Sequence, residues 1–294
     1  TSNLQTYVYL YARQMNLTSQ SYQIRDKEIE QNHLAIVQHP VMADESQALS
    51  IKAKLYFYHN WFIYYSVFYR ETEAYSTAVK MLQLCEGSTI YTEHEPYPYL
   101  TAYLYAINGA YRTGDLQNMG KYIAQLGKLQ FKIEAANTVR SMYYFKNALF
   151  YFSEIKNETR FLTLAEEAAV VLREMGRQFR KDYILVIINH AALGLMKFGR
   201  YDKAIEWLEL YRNNHRYPIR YDIQVCMLFH LLAAHYEMGN YELVNNLIVP
   251  VYRFIVKTGQ QSAFEKLALR TIRRISNFQN VREHKTALER MKAE

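Results

Sequence analysis

Apolar residues recur at i, i+3, i+4 and i+7 along nearly the whole chain, the spacing that lines one face of an α-helix. The pattern predicts helices over Leu4–Gln14 and Tyr22–Val37, the second charged on one side through Arg25, Asp26, Lys27, Glu28 and Glu30. Pro40 then interrupts the chain, and Asp44 is placed to cap a long helix running to Tyr69. A helix over Tyr75–Leu84 follows. The stretch STIYTEHEPYPY, with Pro96 and Pro98, reads as the longest irregular connection and as a hinge.

From Tyr99 the pattern becomes a regular helix–turn–helix rhythm. Tyr99–Arg112 turns at Thr113-Gly114-Asp115 into Leu116–Phe131, and Thr138–Lys156 turns at Asn157-Glu158-Thr159 into Arg160–Met175. Tyr183–Phe198 turns at Gly199-Arg200-Tyr201 into Asp202–Asn213, and Tyr221–Met238 turns at Gly239-Asn240-Tyr241 into Glu242–Val256. Ser262–Phe278 and Val281–Met291 complete the chain as a more charged pair. Glycine at such turns suits the left-handed position that ends a helix.

A self-similarity sets the phase of the earlier part. Tyr56–Ala78 and Tyr143–Ala165 align without a gap, with identities at Tyr56/Tyr143, Asn60/Asn147, Tyr64/Tyr151, Ser66/Ser153, Glu71/Glu158, Thr72/Thr159 and Ala78/Ala165. A repeat of about 40 residues is the mark of stacked helical hairpins, none of which buries its apolar face alone. The predicted fold is all-α, a single domain over 1–294. N-terminal helices would occupy 1–43, about five hairpins 44–258, and C-terminal capping helices 259–294.

The Gly199-Arg-Tyr-Asp-Lys-Ala204 turn with Leu208 and Tyr211 resembles the tetratricopeptide-repeat family. So do Ala234…Gly239-Asn-Tyr241 with Val244, and Gly114-Asp115-Leu116. The resemblance covers roughly residues 50–258, with repeats longer than the family's and most of its Trp and Pro positions missing. It implies a right-handed superhelix (an α-solenoid) whose first helices line a concave groove that holds a protein or peptide.

Composition narrows the function classes. The chain is 50% apolar and 21% charged, with 28 tyrosines, whose rings bury area while the hydroxyl stays available for a hydrogen bond. Cys85 and Cys226 form neither a disulfide framework nor a metal spacing, which points to a reducing, cytoplasmic setting. No stretch has the apolar length of a membrane span, and the first residues lack the basic and apolar regions of a signal peptide. Of the net charge of +7, residues 1–147 carry 13 basic and 12 acidic side chains and residues 148–294 carry 22 and 16. Arg270, Arg273 and Arg274 share a helix face, but terminal repeats carry such charge for solubility, so nucleic acid is not the expected partner. Exposed tyrosine faces are compatible with a homo-oligomer.

The chemistry-bearing residues point to binding. Asn60, Asn147 and Asn189 fall midway along first helices, about ten residues before their turns, and Asn108 lies one turn beyond the matching Leu104. Asparagine is a poor helix former, and its amide can grip a peptide group at both N–H and C=O. Such asparagines resemble those of peptide-sensing bacterial regulators with tetratricopeptide-like domains. His59, Lys146 and His190 stand beside them, and Tyr64, Tyr151, Met196 and Tyr236 follow one to two turns on. Gly194…Gly199 is not followed by Lys-Ser/Thr, His94-Glu95 lacks a second zinc-binding histidine, and His230 and His235 diverge around a helix. No catalytic residue, metal or cofactor is expected. The sequence therefore reads as a non-catalytic scaffold that binds a protein or peptide. The alternative is the sensor domain of a transcriptional regulator whose DNA-binding part lies outside this chain.

Overall fold

The computed structural model describes residues 2–20, 27–214, 218–259 and 263–275; among them every regular element is helical and there is no strand. The helices are α1 (Ser2–Gln20), α2 (Lys27–Val37), α3 (Ile51–Val67), α4 (Glu71–Glu86), α5 (Pro96–Arg112), α6 (Leu116–Lys128) and α7 (Glu134–Glu154). They continue as α8 (Glu158–Met175), α9 (Lys181–Lys197), α10 (Tyr201–Asn214), α11 (Tyr221–Glu237), α12 (Tyr241–Lys257) and α13 (Ala263–Ile275). The start of the predicted Tyr22–Val37 helix and the predicted Val281–Met291 helix lie outside the described residues.

Five hairpins, α3/α4, α5/α6, α7/α8, α9/α10 and α11/α12, share one turn. Its left-handed residue is Tyr69 (φ 54°), Gly114 (77°), Lys156 (56°), Gly199 (70°) and Gly239 (77°) in chain order. In each turn the next amide bonds back five residues: Arg70 to Tyr65, Asp115 to Ala110, Asn157 to Phe152, Arg200 to Leu195 and Asn240 to His235, at 2.7–3.0 Å. The left-handed residue itself bonds back three, to Ser66, Tyr111, Ser153, Met196 and Tyr236. This paired closure satisfies carbonyls that a helix end otherwise leaves open. The chain then enters the second helix at once, with Asp115 and Asn157 accepting from the amides of Asn118 and Arg160 at 3.1 Å.

The first helices are also matched in length. α3, α5, α9 and α11 each have 17 residues, and α7 has 21.

Two expectations are corrected at the N-terminal side. Asp44 caps only a 3₁₀ turn, Glu45–Gln47, by accepting from the Ser46 amide at 2.7 Å. The long helix starts six residues later, at Ser50, whose hydroxyl accepts from Ala53 N at 3.1 Å. The expected irregular stretch after α4 is instead a π-helical turn, Ile90–His94, that buries Tyr91 and leads into α5 with Pro96 in its first turn. Proline suits that position because its missing N–H would have had no partner there.

The chain divides into two compact units, Thr1–Tyr144 and Phe145–Glu294, so the division falls within α7. In the first unit α1 packs on α2 and α3, α3 on α4, α4 on α5, and α5 on α6. In the second, α8 packs on α9, α9 on α10 and α11, α10 on α11, α11 on α12, and α12 on α13. Close packing of a second helix on the next first helix is made through glycine in both units. A Cβ on Gly109 would meet Tyr75 at 2.9 Å, and one on Gly194 would meet the Phe161 ring at 2.3 Å. At the C-terminal end Val225, Leu232, Val244, Ile248, Val251, Ile255 and Leu269 form a buried apolar cluster, against which Phe229 and Tyr236 pack.

Candidate functional site

The shared turn gives an internal ruler. Nine residues before each left-handed position stand Asn60, Tyr105, Asn147, His190 and His230; ten before stand His59, Leu104, Lys146, Asn189 and Phe229. Asn60 and Asn147 are therefore equivalent, as the self-similarity implies. Asn189 is not their equivalent: it falls in the Lys146 column, and His190 takes the asparagine position. One residue is 100° around a helix, so Asn189 and Asn147 occupy different faces of their helices. The sequence count is off by one because the α7 turn closes at Lys156, where a left-handed lysine leaves no glycine to mark it.

In the first unit the Asn60 side chain is fully buried. Its Nδ2 donates to Tyr56 O at 2.8 Å, and Gln14 Nε2 from α1 donates to Asn60 O at 3.4 Å. Asn60 Oδ1, Gln14 Oε1 and His59 Nδ1 have no partner in the protein. His59 lies among the rings of Tyr11, Tyr56 and Tyr105, at 5.2, 6.2 and 5.8 Å, and Tyr105 stacks on Phe62 at 3.9 Å. Burial pulls the His59 pKa down to about 4, so the ring is neutral near pH 7. Asn108 is exposed on α5.

In the second unit one contact joins two of the expected residues, His190 and Lys146. Asn147 on α7 is buried, and Asn189, His190, Lys146, Tyr151 and Tyr236 are half-buried. His190 Nδ1 lies 2.9 Å from the main-chain oxygen of Lys146, which can only accept, so Nδ1 carries the proton. Burial holds His190 down to about 4, and the Phe150 ring lies 5.3 Å from it. Asn189 Oδ1 and His230 Nδ1 are buried without a protein partner. Tyr151 meets Phe152 edge-on at 5.2 Å, and Tyr236 lies 5.3 Å from Tyr241; both are engaged in local aromatic packing.

One charged constellation escaped the sequence reading. Arg180 and Arg220 precede α9 and α11 by one residue, and each forms a two-pronged ion pair with the aspartate two residues on. Arg180 Nε and Nη2 reach Asp182 at 3.1 and 2.7 Å, and Arg220 does the same to Asp222 at 3.0 and 2.7 Å. The Arg180 guanidinium and the Lys146 ammonium both approach the Tyr183 ring, at 5.2 and 5.8 Å from its centre. Loss of hydration lowers the Lys146 pKa, the Arg220 cation lowers it further, and Asp182 opposes both. The signal was only partly available: Arg-x-Asp stands at 180, 200 and 220, so the motif alone does not single out the residues before α9 and α11.

Among the described residues no group of three His, Cys, Asp or Glu could hold a metal ion, and no helix is long and apolar enough to cross a membrane. Cys85 is buried with its thiol pKa pushed up to about 12, and burial also raises that of the exposed-edge Cys226. Both thiols are therefore poor nucleophiles. Comparison with protein-family models, curated proteins and solved structures finds no match for this chain.

Proposed function

We propose that this chain is a non-catalytic scaffold that binds an extended protein or peptide segment across the first helices of its hairpins. In this reading the hairpins of each unit stack in the tetratricopeptide-like manner, with the right-handed turn of that family and its inward-facing first helices. The observation that carries the reading is the polar register of the second unit. Three successive first helices bear Asn147, His190 and His230 in one column and Lys146 and Asn189 in the next, while Asn189 Oδ1 and His230 Nδ1 lack protein partners. A buried polar atom without a hydrogen bond costs about 1–3 kcal/mol, and because both side chains are half-buried, turning them outward onto a peptide group would complete their bonding. Direct hydrogen bonding to a peptide main chain selects for extended shape more than for sequence.

The test is selection of random twelve-residue peptides on the full chain, followed by titration of the enriched peptides against an Asn189→Ala/His230→Ala variant. Peptides are expected to enrich and to lose at least about tenfold in affinity for the variant, a fall of about 1.4 kcal/mol. Circular dichroism is expected to show unchanged helicity. Failure to enrich any peptide, or equal affinity for a normally folded variant, would reject the reading.

A further inference from the structure

The cations around Tyr183 identify the chemistry of one subsite, on the premise of the peptide-binding reading above. Two of the three cations are already matched: Arg180 is held by Asp182 and Arg220 by Asp222, each through two hydrogen bonds. Lys146 is the third. Its ammonium sits over Tyr183, and among the described residues it has no ion pair or hydrogen bond. The cluster thus holds one positive charge in excess, on a half-buried side chain that has given up much of its water. An ammonium in that condition gains strongly from a carboxylate, because the cost of removing its water has already been met in the unbound protein.

Lys146 lies in α7, Tyr183 in the first turn of α9, and Arg220 just before α11, so the three follow successive first helices. From Lys146 through Tyr183 to Arg220 they step toward the N-terminal ends of those helices. A ligand that meets all three therefore crosses the helices obliquely, as an extended segment would. The long stem of Lys146 permits this, since helical side chains lean toward the N-terminus of their own helix.

We infer that the Lys146 ammonium, held over the Tyr183 ring, receives a carboxylate of the bound segment, an Asp or Glu side chain. A single excess charge suits a monoanion better than a phosphate, which brings about −1.5 to −2 charge near pH 7. The tyrosine ring fixes the ammonium by a cation–π contact, and the two Arg–Asp pairs hold the walls in place.

The test uses fluorescein-labelled hexaglutamate as the probe on the full chain, with hexaglutamine as the neutral control and inorganic phosphate and glutarate as competitors. Hexaglutamate is expected to bind, hexaglutamine to bind at least tenfold more weakly, and Lys146→Met to remove the difference. On the unaltered protein, hexaglutamate is expected to slow acetylation of Lys146 at least fivefold relative to the exposed Lys132, read by peptide mass spectrometry. That measurement decides the matter even if the methionine variant does not fold. Equal binding of the two peptides, no protection of Lys146, or stronger competition by phosphate than by glutarate would overturn the carboxylate assignment. The groove reading fails separately: peptides selected in the earlier experiment that still depend on Asn189 and His230 would uphold it while this subsite was lost.

Discussion

The ring of His190 donates from Nδ1 to the main-chain oxygen of Lys146, 44 residues earlier, at 2.9 Å. One bond thereby ties two successive first helices together, fixes the tautomer of the imidazole and leaves Nε2 as the acceptor. His190→Phe keeps the ring volume and removes the bond. It is expected to lower stability by about 1 kcal/mol, since the Lys146 carbonyl lies within a helix where other donors remain. Urea unfolding measures this as a lower midpoint at constant slope; an unchanged midpoint would mean the bond contributes nothing.

The same burial predicts an acid response. His59 and His190 are each held down to about 4, against about 6.5 for free histidine. Between those values the unfolded chain binds protons that the native chain refuses. Stability is thus fully present above about pH 6.5 and falls as pH drops toward 4, by at most about 1.4 kcal/mol per pH unit for each histidine. A His59→Gln/His190→Gln variant should show a flatter profile across that window. Parallel profiles for variant and parent would contradict the assignment.

Gly194 and Gly87 make a contrasting pair. A methyl on Gly194 would enter the Phe161 ring at 2.3 Å, whereas one on Gly87 meets nothing closer than a carbonyl oxygen at 3.5 Å. Gly194→Ala is expected to cost about 1–3 kcal/mol through overpacking. Gly87→Ala should be neutral or stabilising by up to about 1 kcal/mol, because it restricts the unfolded chain. Thermal unfolding of both variants checks the difference; equal effects would show that the α8–α9 contact yields freely.

The turn at Lys156 offers a gain in stability. Its φ of 56° costs a side-chain-bearing residue about 1–2 kcal/mol relative to glycine. Lys156→Gly should therefore raise the unfolding midpoint, and Gly199→Ala, at φ 70°, should lower it. Opposite signs in paired denaturation curves are the expected result.

That turn also shows what could be read in advance. Gly114, Gly199 and Gly239 announced three hairpins directly, because a left-handed residue is cheapest as glycine. Tyr69 and Lys156 do the same work without announcing it; the apolar pattern ends a helix near each, and the likeness of Tyr56–Ala78 to Tyr143–Ala165 shows that the two turns are equivalent. The likeness fixed the hairpins but not their closing residue, so Asn189 was counted into the wrong column. Asp44 and Ser50 are both good helix caps by residue type, and only packing decides which begins the long helix. For the site, residue type was legible and burial was not. Asn60 and Asn108 differ in register along their helices, but residue type alone does not tell that the first is fully buried and the second exposed.

The recurring turn has a further consequence, for how the chain can change in length. In the first unit Arg112 on α5 pairs with Glu71 on α4 at 2.6 Å. In the second, Arg200 pairs with Glu158 at 2.9 Å and Lys197 with Glu154. Each tie spans about one repeat, and the Tyr75–Gly109 and Phe161–Gly194 contacts likewise join a second helix to the next first helix. Inserting or deleting a whole hairpin at a turn would shift the chain by one such interval and let the same kinds of neighbours meet again. An insertion of a few residues inside a helix would rotate every contact beyond it. With the proposed stacking, each unit would tolerate change in steps of about 40 residues and not smaller ones, and contacts of this short range favour folding that begins in one hairpin and spreads to its neighbours.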